Sequence, residues 1–210
     1  MSQKILTMLQ MQNEMNAKVH PQWIEQEFEW DRAIWIECAE LMDHHGWKWW
    51  KKQSADRAQI RLELVDIWHF GLSLLLQQAP ISESLAQQVL NELDTAQNKE
   101  NSLDFLKSVE AFAAFTLLNK QFSVPLFSKM LQGMNMDLNQ LYTAYVGKNV
   151  LNFFRQDHGY KEGSYVKVWN GQEDNEHLVE IAEQLDPEKS SFKDDLYQQL
   201  KQRYTKFTQN

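Results

Sequence analysis

Glu37 and Glu40 stand three residues apart in RAIWIECAELMDHHGWKWWKK (residues 32–52), and Glu63 and Asp66 stand three apart in LELVDIWHFGLSLLL (residues 62–76). Side chains at i and i+3 leave a helix from one side. In the first stretch Trp30, Ala33, Ile34, Cys38 and Leu41 share a broad apolar arc at about 100° per residue; Glu37 falls inside that arc and Glu40 near its edge. The second stretch is apolar nearly all round, as expected of a buried helix, yet Gln59, Glu63, Asp66, His69 and Ser73 make a polar stripe along it. An isolated E-x-x-E is ordinarily a solvated helix face. Carboxylates inside apolar arcs must instead be compensated or protonated, because an unpaired buried charge is strongly unfavourable. If the two helices face each other, four carboxylates converge, and two divalent cations would balance them. Hard oxygen donors with no cysteine set suit Mg²⁺, with Mn²⁺ as a possible substitute, better than Zn²⁺. Such a cation keeps positions open for water and phosphate oxygens, so a phosphate-bearing substrate is expected.

A polyphosphate also needs side-chain cations. Lys148, Asn152 and Arg155 lie at i, i+4 and i+7 in KNVLNFFR, and Lys161 and Lys167 follow in a segment that also carries Tyr160 and Tyr165. That segment holds Gly159, Gly163 and Gly171, where backbone can approach a ligand closely. On spacing alone an ordinary basic helix face is the favoured reading, and the adjoining Gly-rich segment is what weakens it. GWKWWKK (46–52) either presents aromatic faces on which a nucleobase stacks or seals the end of its helix against the core. Gln12 and Asn16, four apart, could offer amides to a base edge. His69 is expected to be a core or supporting histidine, and His44 and His45 to be cations at a helix C-terminus, with no catalytic role for any of them.

The elements that must position these groups are helices. Seven glycines and four prolines among 210 residues, with abundant Leu, Gln, Glu, Lys and Ala, predict an all-α chain. Periodicity and breakers predict helices over about 2–16, 27–44, 55–78, 82–97, 102–120, 126–132 and 137–154. A functional loop is expected near 155–175 and one outer helix over about 175–206. The length suits one catalytic domain over 1–210, with chemistry-bearing segments at 8–70 and 148–175 and no assignable motif in 78–146. A formal charge of −8 argues against nucleic acid as a partner. With no run of eighteen apolar residues and no leader visible, a cytoplasmic protein without membrane contact is expected. Cys38, the only cysteine, is expected to be buried and inert.

MQNEMN (11–16), WDRAIWIECAEL (30–41), WKWWK (47–51), LELVDIWHF (62–70) and KNVLNFFRQDHGYKEGSYVKVWNGQEDN (148–175) together resemble the dimeric all-α dUTP diphosphatases, within the wider all-α nucleoside triphosphate pyrophosphatases. The resemblance implies a helical bundle of that type, a homodimer, and Mg²⁺-dependent hydrolysis of dUTP, and of dUDP, to dUMP. It implies that Glu37, Glu40, Glu63 and Asp66 hold metal. It places Gln12, Asn16 and Trp49 at the base and deoxyribose, and Lys148, Asn152, Arg155, Tyr160, Lys161 and Lys167 at the phosphates, with Asp174 beside them. Met11 and Met15 replace Leu, a swap of similar volume. Water activated by metal and a carboxylate would attack phosphorus, with Glu37 as the expected general base and Glu40 as the alternative. The competing readings are a related pyrophosphatase for dCTP or another nucleotide, and a non-catalytic helical dimer that binds metal or nucleotide.

Overall fold

The computed structural model describes residues 1–97, 104–187, 189 and 191–208. Helices α1 (Ser2–Val19), α2 (Trp30–His45), α3 (Arg57–Gln78), α4 (Glu83–Gln97), α5 (Phe105–Asn119), α6 (Val124–Gly133) and α7 (Leu138–Asp157) come first in the chain. A short antiparallel hairpin follows, β1 (Val168–Trp169) with β2 (Gln172–Glu173), and then helices α8 (Asp174–Ala182) and α9 (Phe192–Thr208). The expected all-α class holds, and no helix among the described residues is long and apolar enough to cross a membrane.

Local chemistry sets the boundaries. Helix α1 runs on to Val19 and stops where His20 turns extended, the conformation forced on a residue that precedes proline. Helix α2 starts at Trp30 rather than near 27, because Glu27 takes a positive φ of 48° that a helix does not admit. Asp56 caps α3 by accepting from the Ala58 and Gln59 amides, each at 3.1 Å. Asp137 and Gln140 close a reciprocal capping box on α7. The start expected for α5 at 102 falls on residues outside the described ones.

The C-terminal stretch corrects the sequence reading. Instead of one helix over 175–206 it forms α8 and α9, because Pro187 lacks the amide a helix needs and pushes Asp186 away from helical angles. The expected loop over 155–175 contains the β1–β2 hairpin. Asn170 and Gly171 both take positive φ, 50° and 82°, and so form the two-residue turn that joins β1 to β2.

Helix α3 is the central element, buried on nearly every side from Ile60 to Leu76. Helix α2 lies along one side of it; α1 packs on α3, α4 and α7, and α7 carries α8 and α9. Trp68 stacks on Phe127 at 5.1 Å, and Phe122 fills the space opposite Gly71. A Cβ on Gly71 would lie 2.3 Å from the Phe122 ring. Gly71→Ala is therefore expected to lower stability by about 1–3 kcal/mol in chemical denaturation, despite the better helix propensity of alanine.

Candidate active site

Helices α2 and α3 bring Glu37, Glu63 and Asp66 together, with one carboxylate oxygen of each within 4.8 Å of the others. Burial and the neighbouring Asp66 push the Glu37 carboxyl up to about 9, and it shares a hydrogen bond with Glu63. Glu63 is also raised, chiefly by burial. Glu37 and Glu63 are thus both pushed toward their protonated forms, which is the condition a divalent cation relieves. Their donor set is all oxygen, the preference of Mg²⁺ and Mn²⁺. Glu40 is exposed; it lines the same cavity but stands outside the group of three.

That cavity, of about 630 Å³, has acidic and basic walls. Across from the carboxylates, buried Lys148 of α7 pairs with Asp66 at 2.8 Å and donates to Asn175 at 3.1 Å. Arg155, two turns further along the same face of α7, donates through Nε and Nη2 to Asp174, both at 2.8 Å, and through Nη1 to Asn152 at 3.3 Å. Burial works against the guanidinium charge, but Asp174 outweighs it and holds Arg155 above its ordinary value. Tyr160 lies against Arg155, its ring 5.8 Å from the guanidinium carbon. Lys167, paired with Glu173 at 3.0 Å, completes the basic wall. Tyr165 donates to Asp174 at 2.9 Å, and its hydroxyl, raised by burial and then by that carboxylate, keeps its proton.

Other expected residues lie apart from this cavity. Lys161 donates to the Val19 carbonyl at 3.0 Å and does not line it. Asn152 meets it only through Arg155. Gln12 and Asn16 are buried in a network in which both amides donate to Ser73, at 3.0 and 2.9 Å, while Tyr145 donates to Gln12 at 3.0 Å. His69 stacks on Tyr145 at 4.2 Å, and its Nδ1 lies 2.8 Å from the Val65 carbonyl, which assigns the proton to Nδ1. The His69 Nε2 acceptor is buried with no hydrogen-bond partner among the described residues. Burial holds the ring neutral, with its pKa down at about 4. Trp49 is 90% exposed, and Trp47 and Trp50 also stay on the surface rather than sealing the helix end. Cys38 is buried, which pushes its thiol up to about 12 and leaves it unreactive.

Several cavity residues escaped the sequence reading. His44 comes within 3.4 Å of Glu63, and its spacing, four after Glu40 and seven after Glu37, would have placed it on their helix face. Glu173 and Asn175 reach the site because the Asn170–Gly171 turn folds the chain back on itself; that dipeptide, flanked by Val, Trp and Gln, was the available signal.

No curated protein matches the chain. The sequence profile of the dUTPase family matches residues 4–160, from α1 through α7, including the 78–146 stretch in which no motif is legible. The chain accordingly belongs to the all-α dUTPase family and is a nucleoside triphosphate diphosphatase.

Proposed function

We propose that the protein hydrolyses dUTP, and also dUDP, to dUMP in the cytoplasm as a homodimer, with Mg²⁺ as the natural cation and Mn²⁺ as a substitute. The observation that carries the reading is the cavity with three clustered carboxylates on one wall and Lys148, Arg155, Tyr160 and Lys167 on the other. Glu37, Glu63 and Asp66 would hold the cation, with Glu40 at the cavity edge as the fourth ligand. When bound, the cation supplies Lewis acidity toward water and phosphoryl oxygens and offsets the charge of the polyphosphate.

The chain's own residues do the rest. Water adds to the β-phosphorus as the bond to the α–β bridging oxygen breaks, that oxygen leaves with dUMP, and the other product is pyrophosphate from dUTP or phosphate from dUDP. Glu37 takes the proton of the attacking water; its half-buried place beside Glu63 and Asp66 favours it over exposed Glu40. Arg155 and Lys167 bind the β- and γ-phosphates, and Lys148, released from Asp66 once a cation arrives, joins them. Asn152 steadies Arg155. Lys161 belongs to the same basic segment and would reach the phosphates only if residues 158–167 move inward.

On the base side, Gln12, Asn16 and the free Nε2 acceptor of His69 offer donors and an acceptor at one buried place. Uracil has the complementary pattern, two carbonyls flanking an N–H. Trp49 would stack on the base once its exposed loop closes over the site. The test is product formation by purified protein with Mg²⁺ across dUTP, dUDP, dCTP, dTTP and dATP. We expect dUMP from both uracil nucleotides and at least about 100-fold lower kcat/KM on dCTP and dATP, since a site built on hydrogen bonds rejects a mismatched edge; dTTP presents the same edge as dUTP, and only a contact at its 5-methyl group can discriminate it. Preference for dCTP would retain the metal site and discard the base assignment.

A further inference from the structure

We infer that Tyr165 is a positioning residue for the phosphate-side arginine, acting through Asp174 and buttressed from the C-terminal helix by Tyr204. The inference deepens the reading of Arg155 as a phosphate ligand and rests on it.

Arg155 has a long flexible side chain, and what aims it is a single carboxylate. Asp174 is 0% exposed and accepts both Nε and Nη2 of the guanidinium. Its Oδ2 accepts from Arg155 and from the Tyr165 hydroxyl at once, at 2.8 and 2.9 Å. Its backbone amide donates to the Lys167 carbonyl at 3.0 Å, which ties the backbone of Asp174 to the residue just before β1. Tyr165 itself does not line the cavity. It therefore reaches substrate only by holding Asp174.

Tyr165 is in turn held from α9. Its ring lies parallel to that of Tyr204, 5.4 Å between centroids and 8° between planes, and the Tyr204 hydroxyl accepts from the Val166 amide at 3.3 Å. Trp169 donates to the Val166 carbonyl at 2.7 Å, and His177 meets the Trp169 carbonyl at 2.9 Å. Residues 165–169 are thus pinned on both backbone edges by groups of the hairpin, α8 and α9. Every one of these groups lies beyond residue 160, where the match to the family profile ends. The matched part carries the guanidinium, and the segment after it carries the parts that aim it. Preorganised groups gain most when their supports are rigid.

Tyr165→Phe keeps the ring and its stack and removes only the hydroxyl, so it separates aiming from packing. With Mg²⁺ present, two quantities are read: KM and kcat for dUTP, and the Kd of inorganic pyrophosphate by calorimetry. Tyr165→Phe is expected to raise both KM and the pyrophosphate Kd by about tenfold, the scale of one hydrogen bond to a charged group, with kcat within about threefold of wild type. Arg155→Lys keeps the charge beside Asp174 but loses the fork; in that background Tyr165→Phe should add less than about twofold, since two changes in one chain of contacts do not add. An unchanged KM and Kd in Tyr165→Phe, the same tenfold factor in the Arg155→Lys background, or no pyrophosphate binding by wild type would overturn the inference. If wild type binds pyrophosphate but does not turn over dUTP, the proposed function fails while the pyrophosphate ratios still decide the role of Tyr165.

Discussion

Glu37→Gln is expected to bind dUTP close to normally and to lose about 10²–10⁴-fold in kcat, the usual contribution of a positioned general base. The argument is local. Glu37 clusters with Glu63 and Asp66, with its carboxyl pushed up to about 9 by burial and by those neighbours. A bound cation displaces that proton, which leaves the Glu37 carboxylate free to accept one from the attacking water. Glutamine keeps the shape and the donor that protonated Glu37 offers to Glu63, but it accepts no proton. The variant should also be at least as stable as wild type without metal, because it mimics the protonated form. Loss of turnover together with a lowered Tm would point to misfolding, and full turnover would move the base to Glu40, for which Glu40→Gln is the matching variant.

Removal of divalent cation has the second large effect. EDTA is expected to abolish dUTP turnover, and added Mg²⁺ to restore it and to raise Tm. For a cation at about 100 times its Kd the stabilisation is about 2.7 kcal/mol, or roughly 5–10 °C for a chain of this length. Its pH dependence has a definite sign. The Glu37 carboxyl titrates near about 9 in the fold against 4.5 as its ordinary value, so between those limits the folded chain holds a proton that the unfolded chain has released. Its contribution is fully present below 4.5 and is lost as pH rises toward 9. The metal-free protein should become less stable over that window, and the rise in Tm with Mg²⁺ should be larger at pH 8.5 than at pH 6, because the cation displaces the proton. Thermal melts at the two pH values, with EDTA and with Mg²⁺, measure this; a shift independent of pH would remove the carboxylate cluster as the binding site.

Legibility of the site in the sequence divides by element. Glu37, Glu63 and Asp66 stood out because a helix repeats every 3.6 residues, so a carboxylate in an apolar arc is visible without coordinates. The same rule placed Lys148 and Arg155 on one face of α7. It could not show that Lys148 pairs with Asp66 or that Asp174 grips Arg155, since neither pair is local in sequence. Periodicity also failed at Pro187, where two amphipathic stretches in succession read as one helix.

By itself the sequence determined the helical class, the two acidic pairs and the basic face, because composition and helical spacing act over a few residues. The tertiary structure decided which carboxylates meet and that Glu40 stands aside. It also decided that Gln12 and Asn16 face Ser73 and His69 in a buried network, and that Trp49 stays in solvent. These outcomes depend on how α1, α2, α3 and α7 pack and on where the hairpin after Lys167 returns. Packing is settled by the shapes of buried side chains far apart in the chain, such as Phe122 against Gly71, and no local pattern records it.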